Sequence, residues 1–373
     1  MTKKVVMMKM RAALLTEPNG KFLVDTVELD APQKGEVQIK MVASGVCHSD
    51  WHVATGTTQH PMPVITGHEG AGVVSAVGEG VTRIQVGDHV ALSWTPDCGT
   101  CFYCRRNQPN LCETYTEPIW AGVQLDGTSR VRWNDEQVYI YSGLGTFAEY
   151  VVVPEQSCVP IDKSIPLEAA ALVGCAVATG VGAAMYTAEV KPADSVVVYG
   201  AGGIGLNILQ GAALAGATTI IAVDTAPEKE ALAREFGATH VLMAGDNTLA
   251  EIRALTSGRG AEHVFEAVGA PAIQEMALDA VRPGGMLTLV GLSANGSGTN
   301  LPGAIITRTE KTVKGSYYGS VSPQRDFPLF LEMYQQKRLK LDELISQRYT
   351  LDQINEAYAE MLTGKIGRGV IVF

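Results

Sequence analysis

Residues 195–206 read SVVVYGAGGIGL, and this stretch decides how the rest of the chain is read. An apolar, β-branched run from Ser195 to Tyr199 passes directly into Gly200-Ala201-Gly202-Gly203-Ile204-Gly205, a G-x-G-x-x-G turn. Helix-compatible residues, Leu206 to Ala215, come next. That context gives the spacing its meaning. The glycines permit a tight turn and a close approach of backbone to pyrophosphate, and the helix N-terminus attracts the anion. The next apolar run, Thr219 to Val223, ends at Asp224, nineteen positions after Gly205. A carboxylate there accepts hydrogen bonds from ribose hydroxyls and repels a 2′-phosphate. Thr225-Ala226-Pro227 follow, with no Arg to hold such a phosphate, so the expected dinucleotide is NAD rather than NADP.

Working outward, apolar runs recur at 240–243, 263–266 and 285–290, separated by helix-like stretches at 228–236 and 272–281. Strand and helix alternating at this interval predict an α/β unit, a Rossmann-type doubly wound parallel sheet. Residues 10 to 170 have a different texture, with short alternating runs such as 37–42, 72–77 and 88–92 among many Gly and Pro. These predict a β-rich domain. Helical segments at 327–340 and 351–362 precede a terminal strand, Gly369 to Phe373. Such a strand is expected to pair with a sheet built earlier, which makes the β-rich domain discontinuous. The expected division is 1–176 with 318–373, and 177–317.

Charge excludes some functions. The 373 residues carry a net charge of −10 with scattered Lys and Arg, so a nucleic-acid or anionic-membrane binder is not expected. The leading MTKKVVMMKMRAALL is interrupted by Lys9 and Arg11 and lacks a secretory pattern. No segment is read as approaching the ~18 uncharged apolar residues of a membrane span. The expected location is cytoplasmic. There, seven cysteines point to metal binding or catalysis more than to disulfides.

Four of them form Cys98-x2-Cys101-x2-Cys104-x7-Cys112. Two-residue gaps let neighbouring thiolates converge on one ion, and four thiolates close a tetrahedral zinc site with no open position. An iron–sulfur cluster takes the same four ligands. A zinc ribbon can also be a nucleic-acid module, but this lobe carries only Arg105 and Arg106 as a basic pair.

Gly67-His68-Glu69-x2-Gly72-x5-Gly78-x2-Val81, Gly45-Val46-Cys47-His48-Ser49-Asp50 and Gly174-Cys175, with the four-cysteine lobe, resemble the zinc-containing medium-chain alcohol dehydrogenases over essentially the whole chain. The resemblance implies a GroES-like catalytic domain beside the Rossmann domain, and two zinc ions per chain. Cys47, His68 and Cys175 would hold a catalytic zinc, with Glu69 as a transient neighbour and Asp50 orienting His68. Three protein ligands leave a position for the alcohol oxygen. Cys98, Cys101, Cys104 and Cys112 would hold a structural zinc, and Cys158 is left as a core residue. The resemblance further places Lys229 on the adenosine ribose, His48 and Arg368 near the pyrophosphate, and Thr179 and Ile204 at the nicotinamide end. It implies hydride transfer from an alcohol carbon to NAD, and a proton relay through Ser49 to His52.

The segments 126–130 and 145–150 and the Cys47-His48 pair are similar to the class III branch, which oxidises a formaldehyde–glutathione adduct. That branch grips the glutathione tail with an Asp and an Arg where this chain has Thr58 and Thr116. The expected substrate is therefore a free primary alcohol or aldehyde, medium-chain or aromatic, in a pocket implied to include Trp94, Tyr141, Leu292 and Tyr317. The thiol-dependent formaldehyde reaction is the alternative. A homodimer through the edge of the nucleotide sheet is expected, with a tetramer as the other possibility.

Overall fold

The computed structural model describes residues 7–364 and 367–373. The first six residues of the leader stretch lie outside them. The chain divides into two units, Met1–Cys175 with Ser322–Phe373, and Ala176–Val321.

In the second unit the quoted stretch is a strand, Ser195–Tyr199, followed by the helix Gly203–Leu214. Six strands form its sheet in the order His240–Met243, Thr219–Asp224, Ser195–Tyr199, Ala261–Glu266, Val281–Leu289, Thr312–Gly315. Every pairing is parallel. Chain order therefore reverses at Ser195–Tyr199, the switch point outside whose carboxyl end ligands bind in such sheets. Val196, Val197 and Val198 are wholly buried, which explains a continuous rather than alternating apolar run. The core joins Val197, Ile221, Val264 and Leu287 of the strands to Ile252, Ala277 and Leu278 of the helices.

The first unit holds two β-structures. Met8–Leu15, Leu23–Leu29, Val131–Trp133, Glu136–Ile140 and Val64–Ile65 close a barrel. A second sheet runs Cys158–Ile161, His89–Leu92, Gly70–Val77, Glu36–Val46, Arg368–Val372, Ile345–Tyr349, with Tyr150–Pro154 also paired to Glu36–Val46. The terminal strand is antiparallel to Glu36–Val46 through pairs such as Val370 with Gly45. Residues more than 300 positions apart are thereby joined in one sheet.

The 10–170 region is the β-rich domain expected, and it also contains two helices that the sequence reading did not place, His48–Ala54 and Glu113–Ala121. Pro118 sits inside the second, and a helix interior disfavours Pro because it removes a backbone bond, so the local signal was masked. One expectation is corrected, and it concerns apolar length. Leu167–Thr187 is a continuous helical stretch with the length and apolar composition of a membrane span, although no such segment was expected. Its apolar window is 89% buried within the protein, so protein rather than lipid covers it.

Candidate active site

The strand Glu36–Val46 delivers Cys47 to the start of the helix His48–Ala54, whose first turn carries Asp50 inward. The segment Gly67-His68-Glu69 enters the strand Gly70–Val77, and Cys175 lies on a widened, π-helical turn, Val173–Val177. One ligand atom from each of Cys47, His68, Glu69 and Cys175 lies within 4.8 Å of the others, and all four residues are buried. Asp50 fixes the imidazole. Its Oδ1 accepts from His68 Nδ1 at 3.0 Å and from the Gly67 N–H at 2.7 Å. In the neutral tautomer that carries its proton on Nδ1, the other nitrogen, Nε2, is open to a metal; it lies 3.3 Å from Cys175 Sγ. A carboxylate holding one ring nitrogen so that the other can ligate is the usual support of a metal-binding histidine.

The electrostatics suit a cation. Cys47 is pushed well below the ordinary thiol range, chiefly by a hydrogen bond from Cys175, with Arg368 and His68 adding attraction. Burial pushes Glu69 up to about 7 against the pull of Arg368. Arg368, expected at the pyrophosphate, here donates from Nη2 to Glu69 and to Cys47 Sγ, the latter at 3.4 Å. Soft thiolates with one imidazole and a carboxylate nearby are a donor set that fits zinc.

The second cluster gathers the sulfurs of Cys98, Cys101, Cys104 and Cys112 within the same 4.8 Å limit. Backbone N–H groups point at them. Cys101 N lies 3.3 Å and Thr100 N 3.4 Å from Cys98 Sγ, Cys98 N lies 3.4 Å from Cys112 Sγ, and Cys104 N lies 3.5 Å from Cys101 Sγ. Such donors stabilise thiolate charge, and four thiolates with no further ligand position fit a closed structural zinc. Cys158 is fully buried, away from both clusters.

In the second unit, Gly200 has φ +94°, a left-handed conformation open to glycine. A Cβ on Gly205 would lie 1.7 Å from the Gly200 carbonyl oxygen, whereas one on Gly202 would meet nothing within 4 Å. The turn is thus tight on its inner side and open where an anion would approach the helix N-terminus. Asp224 accepts from the N–H of Ala201 at 2.7 Å and of Ala226 at 3.0 Å, and pairs with Lys229 Nζ at 3.1 Å. Burial works against its charge, but these partners outweigh it and hold the carboxyl below the usual range. Thr179 is buried in the helix Ala178–Gly182. A Cβ on neighbouring Gly180 would lie 2.6 Å from Ile204 O, so this helix and the glycine turn are in direct contact.

Two aromatic rings meet the His68 side chain, and two more rings pack behind them. Tyr141 meets it edge-on at 5.7 Å between centroids and Trp94 at 6.4 Å. Trp120 packs on Trp94 and on Tyr141, each at 6.3 Å, and His60 packs on Tyr141 at 5.6 Å. Trp94 and Tyr141 were expected near the site, while Trp120 and His60 were missed. The signal for Trp120 was the unread helix Glu113–Ala121, which places it directly after Ile119, a residue packed on the cysteine lobe. Leu292 and Tyr317 belong to the other unit, where both are exposed.

Comparison with known proteins matches this geometry. The profile of the alcohol dehydrogenase GroES-like domain covers residues 33–163, and that of the zinc-binding dehydrogenase domain covers 203–336. The chain is 42% identical to the NDMA-dependent alcohol dehydrogenase of Amycolatopsis methanolica, over 98% of this chain and 99% of that one. The chain belongs to the zinc-containing medium-chain alcohol dehydrogenases. It is also 38% identical to the S-(hydroxymethyl)glutathione dehydrogenase of Escherichia coli O1:K1 / APEC, over 98% of this chain and all of that one. Among solved structures it is similar to the benzyl alcohol dehydrogenase of Acinetobacter calcoaceticus, with a TM-score of 0.93 and 32% identity over 98% of this chain and 99% of that one.

For an alcohol dehydrogenase of this type, the placement of the relay candidates matters. Ser49 Oγ lies 3.8 Å from Cys47 Sγ, so the hydroxyl borders the metal-ligand cluster. His52 follows one helical turn later and is half-buried, and His48 is exposed. Thr58 donates its backbone N–H to His52 O at 2.8 Å, and Thr116 Oγ1 donates to Cys112 O at 2.8 Å. Neither threonine supplies the charge expected of a glutathione grip.

Proposed function

We propose that this dehydrogenase interconverts primary alcohols bearing an aromatic or medium-length apolar group with their aldehydes, using NAD. The observation that carries this reading is the ring cluster of Trp94, Trp120 and Tyr141 around His68. It offers flat apolar surface beside the metal ligands, which favours edge-to-face contact with an aromatic substrate. A zinc ion held by Cys47, His68 and Cys175 would supply Lewis-acid polarisation of the alcohol oxygen, and NAD on the 200–205 turn would accept hydride. A second zinc at Cys98, Cys101, Cys104 and Cys112 would be structural.

The protein groups have separate tasks. Asp50 holds His68 in its ligating tautomer. Ser49 accepts the substrate proton and His52 passes it towards solvent, a role suited to a hydroxyl that both donates and accepts and to an imidazole whose two nitrogens can take up and release a proton. Gly200, Gly202, Gly203 and Gly205 admit the pyrophosphate. Asp224, paired with Lys229, receives the adenosine ribose. Thr179 and Ile204 border the nicotinamide.

NADH formation with a panel of alcohols tests this reading. Benzyl alcohol is expected to exceed ethanol in kcat/KM, and no NADH with any primary alcohol would reject it. Two arms cover second readings. Activity appearing only when formaldehyde and glutathione are added together would favour the thiol-dependent reaction suggested by the E. coli relative. Turnover with NDMA but none with free NAD would favour a tightly held dinucleotide. Seven free thiols suit a reducing, cytoplasmic setting. The strand Thr312–Gly315, paired on one side only, suits a homodimer that continues the sheet.

A further inference from the structure

The helix Glu113–Ala121 joins the cysteine lobe to the aromatic cluster. At its N-terminal end Cys112 is both the helix cap and a member of the four-sulfur group. Cys112, Tyr115 and Ile119 form one buried stripe, packed against Cys98, Cys101 and Cys104. Their spacing of three and four residues puts them on one helix face. Two further bonds seat this end. Glu113 Oε1 accepts from the Phe102 N–H of the lobe at 3.3 Å, and the Tyr115 hydroxyl donates to Gln156 Oε1 at 3.0 Å.

Trp120 follows Ile119 and turns away from that stripe to meet Trp94 and Tyr141. The C-terminal end is held at Gly122, whose φ of +72° closes the helix and whose carbonyl accepts from Ile140 N at 3.0 Å. A Cβ on Gly122 would lie 2.6 Å from His60 Cε1, so the chain passes close under that ring. The helix is thus seated on the lobe along the Cys112, Tyr115 and Ile119 stripe, and Ile119 also reaches the Tyr141 segment, where a Cβ on Gly143 would lie 3.4 Å from Ile119 Cγ1.

We infer that the four-cysteine lobe positions the substrate pocket: through Ile119 and Tyr115 it sets the angle at which Trp120 closes the aromatic wall beside His68. The lobe then has a task in substrate selection as well as in stability. This inference rests on the proposed aromatic-alcohol reading. Ile119 is a positioning residue, since it acts through Trp120 and touches no reacting atom.

A double-mutant cycle on the zinc-loaded enzyme tests it. KM and kcat are measured for benzyl alcohol and for ethanol, with zinc content and NADH affinity recorded for each variant. Trp120→Ala should raise the benzyl-to-ethanol KM ratio by roughly tenfold, the range for losing apolar contact in a pocket. Ile119→Ala keeps all four cysteines and every ring of the cluster. It should raise the same ratio by about threefold or more, with zinc content and NADH affinity unchanged, and Ile119→Leu should restore the ratio. The double variant should resemble Trp120→Ala alone, because both changes act through one ring. If Ile119→Ala impairs benzyl alcohol and ethanol equally, or if the two effects on the ratio simply add, the positioning role is overturned while the pocket survives. If Trp120→Ala leaves the ratio unchanged, the aromatic pocket itself falls, and the inference with it.

Discussion

Replacing Asp224 by Asn should weaken the proposed preference for NAD over NADP by about two orders of magnitude. The carboxylate is locked in place by Ala201 N–H at 2.7 Å and Ala226 N–H at 3.0 Å, and it neutralises Lys229 at 3.1 Å. An adenosine 2′-phosphate would bring at least one negative charge to roughly 6 Å from it. At an effective dielectric of about 20 the repulsion is about 3 kcal/mol per unit charge, close to a hundredfold in relative affinity. Asn keeps an oxygen to accept from Ala201, so the glycine turn should survive, and Lys229 becomes available to the phosphate. The assay is kcat/KM for both cofactors at fixed benzyl alcohol. The expected change is a large gain with NADP and a loss of only a few fold with NAD. A selectivity ratio that moves less than about threefold, with the variant still folded, would refute the electrostatic account of cofactor choice.

Other outcomes follow from the same geometry. Asp50→Asn should lower zinc affinity at the Cys47 cluster by about 10- to 100-fold, measured by chelator competition, because the carboxylate orients His68; unchanged affinity would contradict this. His52→Gln should slow turnover and alter the pH–rate profile and solvent isotope effect, and an unaltered profile would remove His52 from the relay. Glu262 is pushed up by partial burial, but the Ser195 hydroxyl and N–H and the Arg282 guanidinium outweigh this and hold it at about 2 against the usual 4.5. Its folded value is depressed, so its contribution is complete above 4.5 and is lost as pH falls from there towards about 2. The Tm gap between wild type and Glu262→Gln should therefore narrow progressively below pH 4.5, and a constant gap would contradict the assignment.

Much of the fold was legible because its signals are local. The run at 195–199 coincides with a central strand, where burial on both faces demands an unbroken apolar stretch, and the run at 240–243 with a partly exposed edge strand. The terminal strand was readable, and so was its need for a partner. Which strand it joins depends on register set more than 300 residues away. The helix Glu113–Ala121 was not legible, because Pro118 and three β-branched residues argue against helix and its packing on the lobe and on the Tyr141 segment overrides them. The Trp120 and His60 contacts were lost with it. The cysteine lobe declares itself by spacing. Cys47, His68 and Cys175 do not, because separations of 21 and 107 residues carry no local signal. The resemblance connected them before the structure brought their atoms together. Arg368 shows the reverse case, since its pairing with Glu69 and Cys47 could not be read from a position expected to serve the pyrophosphate.

Zinc content of the wild type and of His68→Ala, measured alongside alcohol-dependent NADH formation, tests the central claim most directly. The account predicts two zinc ions per wild-type chain, one at each cluster. It predicts one in the variant, which should keep its fold and its NADH binding while losing turnover. Retention of both ions, or of near wild-type turnover in the variant, would contradict a catalytic zinc held at Cys47, His68 and Cys175.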